Sequence, residues 1–161
     1  PRVARRAAMK LRYAEDYLPG EVFDLGSQTV SEEEILEFAR KYDPQPIHTD
    51  KAFAEKSHFG GLISSGWLTA LIMFRMMLQG FICQETSLGS PGHDETRWLK
   101  PVRPGDTLHG RIEVGEVRIS RSKPEMGFVQ TTATLTNQHG EVVFLLRSAA
   151  IFKTRMTAGQ G

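Results

Sequence analysis

The chain of 161 residues contains a single cysteine, Cys83, and no long uninterrupted run of apolar residues. One cysteine excludes an intrachain disulfide and is compatible with a reducing compartment. The longest apolar segment, residues 67–78, is broken by Thr69 and Arg75 and is well short of the roughly 20 residues that span a bilayer. The basic N-terminus leads into no apolar stretch, which argues against a secretory signal. We therefore expect a cytoplasmic protein with no membrane partner.

A large charge of either sign is also absent, because 20 Lys and Arg residues nearly balance 19 Asp and Glu residues. The formal net charge of +1 supplies no global field for nucleic acid, and we expect no nucleic-acid partner. Four of the five histidines are scattered without ligand spacing, so no metal site is predicted. The hydrophobic fraction of 40% and the chain length are typical of one globular domain.

Turn and capping signals divide the first half of the chain into short elements. A strand is predicted over residues 22–30. Ser31 and Glu34 match a capping box at the start of a helix, and Pro44 ends that helix. A further short helix is expected over residues 50–56, before a Gly-Gly turn. These elements leave the segment between the two helices as a non-repetitive loop.

The second half begins with a long helix and continues with strands. Ser64 or Ser65 caps the helix, which runs to about Gln79, is apolar on almost every face and is therefore expected to be buried on most sides. Segments rich in Val, Ile, Thr and Phe follow between turn signals and read as antiparallel strands: residues 96–100, 106–117, 127–137 and 141–153. An antiparallel sheet folded around one helix is an α+β layout. Its free edge favours pairing with a second copy, so we expect a homodimer or higher homo-oligomer.

An acid and an imidazole lie five positions apart in the loop, at Asp43 and His48. Pro44 and Pro46 stiffen the backbone between them. Both side chains can move protons near neutral pH, which indicates a general acid/base dyad. From the spacing alone the structural alternative is favoured, with Asp43 capping a loop and His48 bonded to a backbone carbonyl.

A candidate oxyanion site follows downstream, where a Gly-Gly turn at residues 60–61 leads into Gly66 at the start of the long helix. Helix N-termini present free amides and a partial positive charge. A glycine lets a carbonyl oxygen approach the backbone closely. The alternative to an oxyanion site is a structural role, in which the helix start is simply capped and the glycine allows tight packing. Together with the dyad, this site would suit chemistry alpha and beta to a carbonyl.

These segments resemble the MaoC-like dehydratases of the hotdog fold, which are related to (R)-specific enoyl-CoA hydratases. Residues 42–48 read Tyr-Asp-Pro-Gln-Pro-Ile-His and resemble the family motif Gly-Asp-x-Asn-Pro-x-His. Residues 59–66 resemble the approach to the central helix, and residues 97–108 the strand and turn that follow. The likeness covers roughly residues 15–153 and leaves terminal extensions at 1–14 and 154–161. Two departures from the motif are Tyr42 in place of Gly and Gln45 in place of Asn.

The resemblance implies a hydro-lyase of fatty acid metabolism that hydrates a trans-2-enoyl-CoA to a 3-hydroxyacyl-CoA, or catalyses the reverse dehydration. Asp43 and His48 would activate the water, and the Gly66 N–H would bind the thioester oxygen. Coenzyme A would enter with the substrate, and no separate cofactor is expected. Three further residues beside these groups are expected to contact the substrate: Gln45, Ser65 and Trp67.

Two other functions stay open on the same scaffold. A hotdog thioesterase would attack the thioester carbonyl, usually with one carboxylate and no obvious need for His48. A non-catalytic acyl-CoA-binding module would need neither group, and the presence of both Asp43 and His48 argues against it.

Overall fold

The computed structural model describes residues 10–158, and within them helices and strands follow a short 3-10 turn at Ala14–Asp16. The helices are α1 (Glu32–Tyr42), α2 (Pro46–Thr49), α3 (Lys51–Lys56), α4 (Gly66–Gly80) and α5 (Arg155–Ala158). The strands are β1 (Val22–Thr29), β2 (Ser87–Gly89), β3 (His93–Trp98), β4 (Thr107–Ile119), β5 (Met126–Thr136) and β6 (Val142–Lys153).

The strands form one antiparallel sheet in the order β1-β4-β5-β6, and both β2 and β3 pair with β6. The predicted antiparallel succession is therefore confirmed. The structure starts β3 at His93, three residues before the predicted start, and adds β2, which was not predicted. A strand of three residues is too short to produce a recognisable alternation of apolar and polar side chains.

The sheet curls around α4, which supplies the centre of the core. Ile72, Met73 and Met76 are buried against the inner face of the sheet, where Phe144 is also fully buried. The helix comes close to β4 at Gly110, because a Cβ there would lie 2.9 Å from Cε of Met76. A sheet wrapped around one helix confirms the expected α+β layout.

The outward face of α4 is exposed, although the helix is apolar on nearly all sides. Trp67, Leu71 and Phe74 keep 63%, 53% and 48% of their surface accessible. These positions follow i, i+4 and i+7 spacing and so form a single stripe. The sheet covers only one side of the helix. The helix is therefore buried on that side, and the expectation that it would be buried on most sides was wrong for the opposite face.

The segment between α1 and α3 is more regular than the predicted loop. Pro44 does end α1, but residues 46–49 form the single helical turn α2. Pro46 occupies the first helical position, where its fixed φ suits a helix and its missing N–H leaves no broken bond. The prediction of a non-repetitive loop was therefore wrong for these four residues.

The chain ends are partly described. Residues 1–9 and 159–161 of the predicted terminal extensions lie outside the described residues. Thr154 is buried, and the Arg155 guanidinium donates to Asp16 Oδ1 at 2.7 Å, so the start of the second extension packs on the 3-10 turn. Across residues 10–158, no helix combines the length and the apolar character that crossing a bilayer requires.

Candidate active site

Asp43 terminates α1 and points its carboxylate at the start of α4. Its backbone N–H still bonds the Ala39 carbonyl, and the following proline prevents further helix. Ser65 Oγ donates to Asp43 Oδ2 at 2.6 Å, and Gln45 Nε2 donates to Oδ1 at 2.7 Å. Both carboxylate oxygens thus accept a hydrogen bond, which fixes the orientation of the group.

His48 lies on α2 and is 5% exposed. Its Nδ1 lies 2.8 Å from the carbonyl oxygen of Ile63. Because a carbonyl only accepts, the hydrogen-bond network assigns a proton to Nδ1, and Nε2 is the ring nitrogen that faces Asp43. Nε2 lies 3.4 Å from Asp43 Oδ2, so the predicted pair is brought together in space.

The surroundings of Asp43 keep it ionised. Burial alone would raise the pKa of this carboxyl group, because a charged form is poorly solvated inside a protein. The hydrogen bonds from Ser65 and Gln45 and the nearby His48 ring act in the opposite direction and prevail. The pKa of Asp43 therefore lies below its ordinary value, and the group is a carboxylate near neutral pH.

Gly66 is the first residue of α4, directly after the cap Ser65. The Ser65 hydroxyl accepts from the Trp67 N–H at 3.3 Å while it donates to Asp43, so one side chain joins the helix start to the dyad. Among residues 10–158 no hydrogen-bond partner faces the Gly66 N–H. This amide is available to an acceptor, as the first amides of a helix are.

A cleft of about 350 Å³ opens beside these groups. His48 and Gly66 both line it, and Trp98 and Lys100 approach from the end of β3 and the turn after it. Its remaining walls are mainly apolar: Ile47, Phe59, Ile63, Leu99, Pro101 and Val102. An apolar cleft with a few convergent polar groups is typical of a small-molecule site.

The three residues expected to contact substrate have different positions. Gln45 is exposed and Ser65 is fully buried, and the structure shows both donating to Asp43. Trp67 is exposed, and its ring packs edge-on against Trp98 with 5.3 Å between centroids. A direct substrate contact by any of these three residues stays a prediction.

Two contributors to the site were missed by sequence reasoning. The Ile63 carbonyl fixes the His48 ring, and the Trp98 indole donates to the Gly66 carbonyl at 2.6 Å. A backbone carbonyl carries no sequence signal, because every residue has one. Trp98 lies in a segment that the sequence likened only to a strand and turn of the family, with no role at the site.

In the described part of the chain, no three His, Cys, Asp or Glu side chains gather into a metal-binding group.

Comparison with known proteins identifies the kind of domain that carries this geometry. Residues 16–138 match the family described as MaoC like domain. The structure is similar to a MaoC-like dehydratase from Rhodospirillum rubrum, with 36% identity, 89% of this chain and 98% of that chain covered, and a TM-score of 0.83. These matches confirm the hotdog fold and the resemblance stated from the sequence.

Two further solved structures show how widely the fold is used. A monoamine oxidase regulatory protein from Archaeoglobus is 31% identical, with 89% of this chain and 95% of that chain covered and a TM-score of 0.79. An R-hydratase from Pseudomonas aeruginosa is 22% identical, with 88% and 85% covered and a TM-score of 0.68. The second likeness extends to the fold alone.

Proposed function

The chain belongs to the MaoC-like dehydratase family, and from that premise we propose that it hydrates a trans-2-enoyl-CoA thioester or catalyses the reverse dehydration. The observation that carries the proposal is that His48 and Gly66, whose N–H has no partner among the described residues, line one cleft, and that the Asp43 carboxylate lies 3.4 Å from His48 Nε2. The fold itself is shared with an R-hydratase from Pseudomonas aeruginosa.

The water is held between two acceptors. His48, whose Nδ1 faces the Ile63 carbonyl, presents the lone pair of Nε2, and Asp43 presents a carboxylate oxygen that is 3.4 Å away. A water molecule that donates one hydrogen to each acceptor satisfies both, and its oxygen lone pair is then directed away from them. The lowered pKa of Asp43 supports this arrangement, because a protonated carboxyl group would compete as a donor.

The hydration step balances within the site. The water oxygen forms a bond to C3 of the enoyl group while His48 Nε2 removes a water proton. The C2–C3 π electrons move toward the thioester carbonyl, and the Gly66 N–H stabilises the negative charge on its oxygen. The proton taken by His48 then passes to C2, so the water is divided between C3 and C2 and the dyad returns to its starting state.

Incubation of the full chain with crotonyl-CoA tests the proposal. Loss of the enoyl absorbance without release of free thiol is the expected result and indicates hydration. Free thiol would identify the protein as a thioesterase instead. Binding of crotonyl-CoA without any turnover would contradict the proposal and favour a non-catalytic acyl-CoA-binding module.

The hydrogen bond from Gln45 leads to a prediction about the pH at which Asp43 becomes protonated. In Gln45→Ala the Asp43 carboxylate loses the hydrogen bond at Oδ1, so the pKa of Asp43 rises toward its ordinary value. Asp43 then becomes protonated at a higher pH as the solution is acidified. We expect the titration of the Asp43 carboxyl group itself to move to higher pH, measured by NMR of its side-chain carboxyl carbon across the acidic range.

The exposed residue Gln84 provides the matched control for this change, since it follows α4 at the end of the helix remote from Gly66. The Asp43 titration in Gln84→Ala should superimpose on that of the wild type. An Asp43 titration that stays in place in Gln45→Ala would show that the Gln45 hydrogen bond does not control the pKa of Asp43.

We further propose that a second copy of the chain covers the exposed stripe of α4. Leu71 lies at its centre, and the neighbouring strand β3 pairs only with β6 among the described strands. An exposed apolar stripe beside a free strand edge suits association with an identical surface. This is the homodimer expected from the sequence.

Leu71→Glu should dissociate that dimer, because a carboxylate would be buried without a partner. The loss of a central contact worth about 2 kcal/mol raises the dissociation constant of the dimer roughly 30-fold. Sedimentation velocity measures this constant. Leu18→Glu is the control, since Leu18 is also an exposed leucine but lies before β1, outside the stripe. A monomeric wild type at micromolar concentration would refute the dimer.

A further inference from the structure

Trp98 occupies a position that connects the edge of the sheet to the start of α4. It is the last residue of β3 and pairs with Phe144 of β6. Its indole Nε1 donates to the Gly66 carbonyl at 2.6 Å, across 32 positions of sequence. The side chain is 43% exposed and lines the same cleft as His48.

The indole ring fills the space that the missing Gly66 side chain leaves. A Cβ at Gly66 would lie 2.7 Å from Nε1 of Trp98 and 2.9 Å from two ring carbons. The ring is held on its other sides by Trp67, at 5.3 Å between centroids, and by Phe144, at 6.0 Å. The glycine and the tryptophan therefore fit each other as a pair.

This contact restrains the part of α4 that most needs restraint. Glycine loses more backbone freedom than any other residue on entering a helix. The N–H groups of the first turn also have no partners within the helix. An amide stabilises a developing oxyanion only if its N–H direction is set before the reaction. The indole bond acts on the carbonyl of the same residue that supplies the amide.

We propose that Trp98 is a positioning residue that holds the Gly66 amide in its oxyanion-binding orientation, an inference that rests on the proposed hydratase function. The Trp98 hydrogen bond stabilises mainly the transition state, because the charge on the thioester oxygen is largest there. Loss of the indole N–H therefore lowers kcat and kcat/KM together, and KM changes little.

Trp98→Phe tests the role, because it keeps an aromatic ring and removes the donor. A misplacement on the ångström scale costs up to about 10²-fold, so we expect kcat to fall about 10- to 100-fold. A second variant, with benzothienylalanine incorporated at position 98, replaces the N–H by sulfur and leaves the ring shape intact. It should show the same loss even if the phenylalanine variant folds poorly.

The opposite end of the same helix supplies the matched control. The Tyr17 hydroxyl donates to the Phe81 carbonyl at 2.9 Å, directly after the last residue of α4. Tyr17→Phe thus removes an aromatic donor from the carbonyl of the residue that caps the end of α4, far from the cleft. We expect a lower unfolding temperature in this variant with kcat unchanged, which separates a stability effect from a positioning effect.

The inference is overturned if the two position-98 variants keep the wild-type kcat, if only KM rises, or if Tyr17→Phe loses kcat to the same extent. An inactive wild type is a different result. It would refute the proposed hydratase function first, and the role of Trp98 with it.

Discussion

Asp43→Asn is expected to reduce the turnover of crotonyl-CoA by about 10²–10⁴-fold, the range typical of a lost acid/base group. The substitution keeps the size of the side chain but replaces one carboxylate oxygen by an NH₂ donor and removes the negative charge. The Ser65 hydroxyl and the Gln45 amide, which both donate to this group, then have fewer acceptors. The water between His48 and residue 43 no longer faces two acceptors.

A second Asp–His pair on the surface provides the control. Asp24 Oδ1 lies 3.2 Å from His109 Nε2, and the two side chains are 72% and 46% exposed. Asp24→Asn makes the same chemical change in solvent, and we expect turnover equal to that of the wild type. Wild-type turnover in Asp43→Asn itself would remove this residue from the mechanism.

The dyad also predicts non-additive kinetics. His48→Ala should cost a similar factor, since it removes the base that takes the water proton. The double variant Asp43→Asn/His48→Ala should be little worse than the more damaged single variant, because groups that act as a unit cannot be lost twice. Steady-state kinetics on the three proteins measures the coupling.

Gly66→Ala is expected to lower kcat about 10²-fold, comparable to the loss of one oxyanion donor. The new methyl group would lie 2.7–2.9 Å from the Trp98 indole, so either the helix start or the ring must move. Gly66 and Trp98 both line the cleft, so either movement changes the shape of the site. The unfolding temperature should change little, because alanine is favoured over glycine in a helix by about 1 kcal/mol and offsets part of the steric cost.

Gly61→Ala is the corresponding control in the turn before α4. A Cβ there would lie 3.4 Å from a guanidinium nitrogen of Arg103, which is the end of a flexible side chain. We expect nearly normal turnover and stability. If Gly66→Ala had normal kcat as well, the close fit against Trp98 would have no bearing on catalysis.

Much of the fold follows from local patterns in the sequence. Ser31 starts α1 and Pro44 ends it, as predicted, because capping and proline effects act over a few residues. The long strands were also predicted, since each is rich in Val, Ile, Thr and Phe and is bounded by turn signals. The single turn α2 was not predicted, because four residues are too few for helical periodicity to appear.

The sequence by itself determined which groups the site could use: Asp43, His48 and Gly66, together with the stiff backbone around the first two. Tertiary structure alone decided how they are held. Ser65 reaches Asp43 across 22 positions, and the Ile63 carbonyl fixes His48 across 15. Trp98 meets Gly66 across 32 positions, after β3 has joined the sheet beside α4. The physical reason is that side-chain types and local stiffness are properties of short segments, whereas hydrogen bonds that orient a catalytic group depend on packing between distant ones.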